Sequence, residues 1–135
     1  MMTIAGLSHI TLRVSSLSRS IAFYRDVLGG TLRATWKRGA YLELGPVWLC
    51  FLEGTPSPTD DGSHLAFSVP RESFESLSRA LIEVDAGRWR SDTSEGRSHY
   101  FLDPDGHRLE IHVGDLESRL LACRHAPYED MVFYP

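Results

Sequence analysis

Ser8-His-Ile-Thr-Leu-Arg-Val14 returns past the midpoint of the chain as Ser63-His-Leu-Ala-Phe-Ser-Val69. Serine, histidine and valine keep their register, and both segments alternate polar and apolar residues with the period of a strand. A repeat on this scale predicts two similar modules, each burying one face against its twin or against a second chain. A helical stripe follows each copy: Leu17, Ile21, Tyr24 and Leu28 ending at Gly29-Gly30, then Phe74, Leu77 and Leu81 ending before Gly87. Strand pairs come next. Residues 40–52 form a hairpin-like pair broken at Gly45-Pro46, and 98–102 with 107–113 are its counterpart, with a further strand expected near 31–37 and near 88–90. The fold class is therefore α+β, built from paired βαβββ modules. The 135 residues make one domain, with module one spanning about 4–54, module two about 62–113, and a tail over 114–135. Met131, Phe133 and Tyr134 in that tail read as a strand or packing segment.

The net charge of −4 supplies no basic stripe for nucleic acid, and no apolar run approaches the ~20 residues that span a bilayer. Nothing at the N-terminus resembles a signal peptide, and two cysteines, Cys50 and Cys123, are too few for a disulfide framework. The expectation is a cytoplasmic protein with reduced thiols.

Asp103-Pro-Asp-Gly106 is a turn, with Pro fixing φ near −65° and Gly supplying φ > 0, and it launches the strand that carries Glu110. Alternation puts Arg108, Glu110 and His112 on one face and Leu109 and Ile111 on the other. The same rule gives polar faces bearing His9, Thr11 and Arg13, and His64, Ala66 and Ser68. Helices cover the apolar faces, so the polar faces form a cup. Aligning 47–51 with 107–111 sets Cys50 where the second module has Glu110. A carboxylate held mid-strand among apolar neighbours needs a positive partner. Two imidazoles and a carboxylate from separate strands, His9, His64 and Glu110, suit a divalent first-row metal with open positions for substrate oxygens. Any one of these histidines alone would read as a hydrogen-bonded sheet residue; their repeat symmetry is what selects the metal. Cys50 reads as a small buried thiol beside the site, and His112 as a residue of the rim or one supporting a ligand.

Residues 89–100 form a loop rich in Ser, Asp, Glu and Gly, able to hold a monovalent cation or an anion. Arg90, Arg97 and Arg119 add groups suited to phosphate-like oxygens, although each alone reads as a surface charge.

The chain resembles the fosfomycin-resistance glutathione transferases of the vicinal-oxygen-chelate (glyoxalase/bleomycin-resistance) superfamily. The resemblance is carried by residues 7–14, 21–29 and 39–45, by Val47-Trp-Leu-Cys50 and Ser94-Glu-Gly96, and most specifically by 100–110, 112–115 and Ser118-Arg-Leu-Leu-Ala-Cys-Arg124. It implies a cupped mixed sheet in a module-swapped homodimer, with His9 and Glu110 of one chain and His64 of the other binding Mn(II). It also implies that glutathione thiolate opens the epoxide of fosfomycin. Thr11 is then the catalytic residue that hydrogen-bonds the leaving oxygen. Arg90, Ser94, Tyr100 and Arg119 hold the phosphonate, and Asp92, Ser94, Gly96 and Ser98 a potassium ion. Trp48 and Tyr41 stand by the substrate, and Trp36 and Tyr41 line the thiol channel.

Mn(II), potassium and arginines answer a physical need, because a thiolate attacking a compact dianion gathers three negative charges. The chain departs from the family pattern at Arg90 (usually Lys), Asp92 (Asn), Thr93 (a basic residue), and Gly62 and Leu65 (Tyr). Alternatives are a fosfomycin epoxide hydrolase, whose extra carboxylate would stand where this chain has Gly39, and a transferase using another thiol. A ring-cleaving dioxygenase could use the same two-histidine, one-carboxylate set, but needs no phosphonate-binding groups. A drug-binding protein of this fold would carry no metal triad.

Overall fold

The computed structural model describes residues 2–92 and 95–135. Module one runs β1 (His9–Val14), α1 (Leu17–Ala22), a π-helical turn (Phe23–Val27), β2 (Thr31–Trp36), β3 (Gly39–Leu44) and β4 (Val47–Glu53). Module two repeats the order with β5 (Leu65–Ser68), α2 (Arg71–Glu83), β6 (Arg88–Arg90), β7 (Arg97–Leu102) and β8 (Arg108–Val113), and α3 (Leu116–His125) follows. Each module is a four-stranded mixed sheet, ordered β1-β4-β3-β2 and β5-β8-β7-β6. The first and last strands of a module therefore run side by side in parallel.

The two sheets share a register. Thr11 pairs with Cys50 and Tyr41 with Cys50 in the first, and Ala66 pairs with Glu110 and Tyr100 with Glu110 in the second. Cys50 and Glu110 are thus equivalent backbone positions, as the alignment of the repeats predicts. Alternation holds as well: Leu109, Ile111 and Val113 are buried, as are Leu49 and Phe51. These apolar faces and the helices merge into one core across both modules, where the Phe23 ring lies 6.3 Å from that of Phe101.

The first helix is shorter than its apolar stripe suggests. After Ala22 it widens into π-winding, with Leu28 N–H donating to the Phe23 carbonyl at 3.2 Å, and the adjacent residues Phe23 and Tyr24 are both buried. Tyr24 then reaches the second module, where its hydroxyl donates to Asp103 Oδ2 at 2.7 Å. Asp103 Oδ1 accepts the backbone N–H groups of Asp105 and His107, both at 2.9 Å. The turn also grips the end of β1: the Asp105 carboxylate accepts from Ser15 N–H and Arg19 Nη2, and His107 Nε2–H donates to the Arg13 carbonyl at 2.8 Å. Burial pushes the Asp103 carboxyl up from its ordinary range, against the hydrogen bond from Tyr24, and burial raises the Tyr24 phenol too.

The tail holds an unexpected helix. Asp115 Oδ1 accepts Ser118 N–H at 2.9 Å, and Ser118 Oγ accepts Asp115 N–H at 3.0 Å, a reciprocal cap that starts α3. Phe133 packs under the Arg124 guanidinium, 4.4 Å from it, without forming a strand. Among the described residues no helix is long and apolar enough to cross a membrane, and Cys50 and Cys123 are free and buried.

Tyr24→Phe keeps the ring but leaves a buried carboxylate short of a donor. It should lower unfolding free energy by about 1–3 kcal/mol, measured by urea denaturation. His99 gives a second test, because burial, reinforced by the Arg88 charge, lowers its pKa from 6.5. Its neutral form is favoured in the fold, so stability is full above the unfolded value and is lost as pH falls through the lowered folded one. His99→Leu should flatten that acid-side decline in the urea midpoint.

Candidate active site

Glu110 faces the cup from the middle of β8, yet only 7% of it is exposed, and both its oxygens are engaged. The parallel pairing of β5 with β8 brings His64 alongside, with Nε2 2.8 Å from Glu110 Oε1. Ser98 on β7 donates its hydroxyl to Glu110 Oε2 at 2.7 Å. The orientation of His64 is set from behind: Nδ1 lies 2.9 Å from the Gly62 carbonyl, which can only accept, so Nδ1 carries the proton. Nε2 of the neutral ring then offers its lone pair at the place where Glu110 offers Oε1. Two lone pairs aimed together need a cation or a proton between them. A histidine whose outer N–H is held by a backbone carbonyl is also the usual arrangement of a metal ligand. The donor set therefore fits a divalent metal.

Beside this pair opens a cleft of about 600 Å³, lined by His64, Arg90, Tyr100, Glu110, Arg119 and Tyr128. Arg90 lies over the Tyr100 ring at 5.3 Å, and Arg119 Nε donates to Glu95 Oε1 at 3.4 Å. Two cations and a phenol converging beside this pair are groups suited to an oxygen-rich anion. Helix α3, unforeseen from the sequence, supplies the far wall through Arg119, Ala122 and Cys123. Trp89 was also unforeseen as a site residue. Its ring lies 5.0 Å from His64 and 5.2 Å from Tyr100, and its Nε1 is fixed on the Leu109 carbonyl at 3.0 Å. The alternation of a three-residue strand was too short to reveal it.

The other expected residues lie on the first sheet. His9 is held through Nδ1 by Ser8 Oγ at 3.0 Å and lies against Trp48, ring centres 4.3 Å apart. The aromatic series continues to Tyr41 at 5.3 Å and Trp36 at 4.7 Å from its neighbour, and all three side chains are more than a third exposed. Thr11 lines a shallow groove with Ser63, His64 and His107. Among the described residues no three potential metal ligands cluster within one chain.

This corrects the expected division of the triad, in which His9 and Glu110 share a chain and His64 comes from another. His64 and Glu110 meet within one chain because their strands are hydrogen-bonded neighbours, and His9 belongs to the other module. In the expected potassium loop, Asp92 accepts Ser98 N–H at 3.0 Å and Gly96 adopts φ +76°, while the Ser98 hydroxyl is committed to Glu110. Ser94 lies outside the described residues.

A mixed βαβββ pair with a histidine–carboxylate couple on its cup face defines a class, and residues 6–111 match the model of the Glyoxalase/Bleomycin resistance protein/Dioxygenase superfamily. The chain belongs to that superfamily. More particularly, it is 47% identical over 133 residues to Glutathione transferase FosA of Serratia marcescens, covering 95% of this chain and 94% of that one. Metallothiol transferase FosB of Staphylococcus epidermidis is 38% identical over 131 residues, 91% and 94% of the two chains. The crystal structure of the fosfomycin resistance protein FosX of Listeria monocytogenes superposes with a TM-score of 0.81 at 29% identity, covering 89% of this chain and 99% of that one. A mutant of that protein complexed with Mn(II) and 1S,2S-dihydroxypropylphosphonic acid gives 0.80 at 30% identity, covering 87% and 97%.

Proposed function

We propose that the protein is a metal-dependent glutathione transferase that inactivates fosfomycin in the cytoplasm and so confers resistance to it. The observation that carries this is the His64–Glu110 couple at the edge of a cleft lined by Arg90, Tyr100 and Arg119, in a chain that is 47% identical to a glutathione transferase FosA. His9, His64 and Glu110 would hold Mn(II), which when bound supplies Lewis acidity toward the epoxide oxygen. Arg90 and Arg119 neutralise the phosphonate, and the Tyr100 hydroxyl donates to it, with Ser94 as a further donor. Potassium held by Asp92, Ser94, Gly96 and Ser98 adds positive charge beside it. Thr11 donates a hydrogen bond to the epoxide oxygen as charge builds there. Trp36, Tyr41 and Trp48 wall the channel along which the thiolate reaches the neighbouring carbon. The C–S bond forms as the C–O bond breaks, and the freed oxygen takes a proton from water.

Two chains complete one site in this reading. His9 and the aromatics of one protomer face His64, Glu110 and the arginines of its partner, each half-site standing on a separate sheet. A hydrolase would need a carboxylate at position 39, but the Trp36 indole rests on Gly39 where any Cβ would go.

The test is NMR of Mn(II)-loaded protein with fosfomycin, with and without glutathione and across potassium concentrations. A thioether adduct should form only with glutathione, accelerate with potassium, and slow more than about a hundredfold in Glu110→Ala. A diol formed without thiol would make the protein a hydrolase, and adduct formation with other thiols alone would replace the donor. Module exchange is tested by mixing inactive variants after unfolding together. His9→Ala with Glu110→Ala should recover about a quarter of the wild-type sites, whereas His64→Ala with Glu110→Ala should recover none.

A further inference from the structure

The proposed mechanism does not use the partly buried imidazole of His112, two residues beyond Glu110 on the same face of β8. Its Nδ1 lies 2.7 Å from Ser98 Oγ and 3.5 Å from Glu110 Oε2. The Ser98 hydroxyl has one proton. Were it given to His112, Ser98 Oγ and Glu110 Oε2 would meet lone pair to lone pair at 2.7 Å in a buried site, so it belongs to Glu110. His112 Nδ1 must then carry a proton and donate to Ser98 Oγ. The chain of donation runs one way, from His112 Nδ1–H to Ser98 Oγ and from Ser98 O–H to Glu110 Oε2, leaving Oε1 directed at His64.

The surroundings hold the imidazole to this task. Gly96, at φ +76°, packs its backbone so that a Cβ would collide with the Val113 carbonyl and stand 3.1 Å from the His112 ring. At Gly114, φ +125°, a Cβ would come within 3.1 Å of His112 Nε2. Side chains at neither place would leave the ring where it is. Asp92 fixes the other partner by accepting Ser98 N–H.

We infer that Ser98 and His112 are positioning residues for the metal ligand Glu110, a relay that fixes which carboxylate oxygen faces the metal, with His112 acting through its Nδ1–H. This deepens the proposed metal role of Glu110 and rests on it. It also gives Ser98 a task apart from the potassium loop.

The test reads Mn(II) affinity of the substrate-free protein by competition with a chelator, and the Mn(II) electron paramagnetic resonance spectrum. Ser98→Ala should weaken binding about 10–100-fold and Ser98→Thr, which restores a hydroxyl, should recover most of it. Asn and Gln separate the two ring nitrogens of His112, since the Asn amide stands in for Nδ1–H and the Gln amide for Nε2–H. His112→Asn should stay within about threefold of wild type while His112→Gln falls with Ser98→Ala. Thermal melts identify any variant that has lost its fold, and the partly exposed His112 pair decides the matter if Ser98→Ala is one of them. Wild-type affinity in both Ser98→Ala and His112→Gln, with binding lost in Glu110→Gln, would overturn the relay alone. Equal affinity in wild type and Glu110→Gln would overturn the metal role and the relay together.

Discussion

A carboxylate buried in a turn holds the two halves of this molecule in place. The Asp103 carboxylate accepts three hydrogen bonds, two from the turn's own backbone and one from Tyr24 in the other module. Asp105 and His107 add the grip on Ser15, Arg19 and Arg13. Because β8 begins at the far side of this turn, fixing it against module one also fixes how far along the sheet Glu110 stands. Fold stability and ligand placement thus depend on the same few polar groups, which must be satisfied because they are buried.

Two copies of one backbone plan have diverged in chemistry. Cys50 and Glu110 share a register position, as do Thr11 and Ala66, yet the first sheet presents a histidine in a row of aromatic rings and the second a histidine, a carboxylate and arginines. The aromatic row of Trp36, Tyr41 and Trp48 thus stands on one sheet, and Arg90, Tyr100 and Glu110 on the other.

Strands were legible because alternation over six residues, repeated in a second copy, is hard to mistake, and the Cys50–Glu110 equivalence followed from the same alignment. Of His9, His64 and Glu110, the structure brings His64 and Glu110 together, while His9 stands on the other module. The βαβ crossover makes the outer strands of a module parallel neighbours and so puts His64 next to Glu110, a juxtaposition that depends on strand order and not on spacing along the chain. Helix α3 was missed because its exposed Leu116 and Leu121 and its buried Cys123 make no single apolar stripe. Its signal was polar, in the Asp115–Ser118 cap. Ser98 was noticed for its loop and not for Glu110, since a bond between side chains on neighbouring strands appears only once the register is known.

Trp36 resting on Gly39 couples what can stand at position 39 to where the indole lies. Any side chain at position 39 and the indole of Trp36 compete for one volume, so a carboxylate could stand there only once the exposed indole had swung aside.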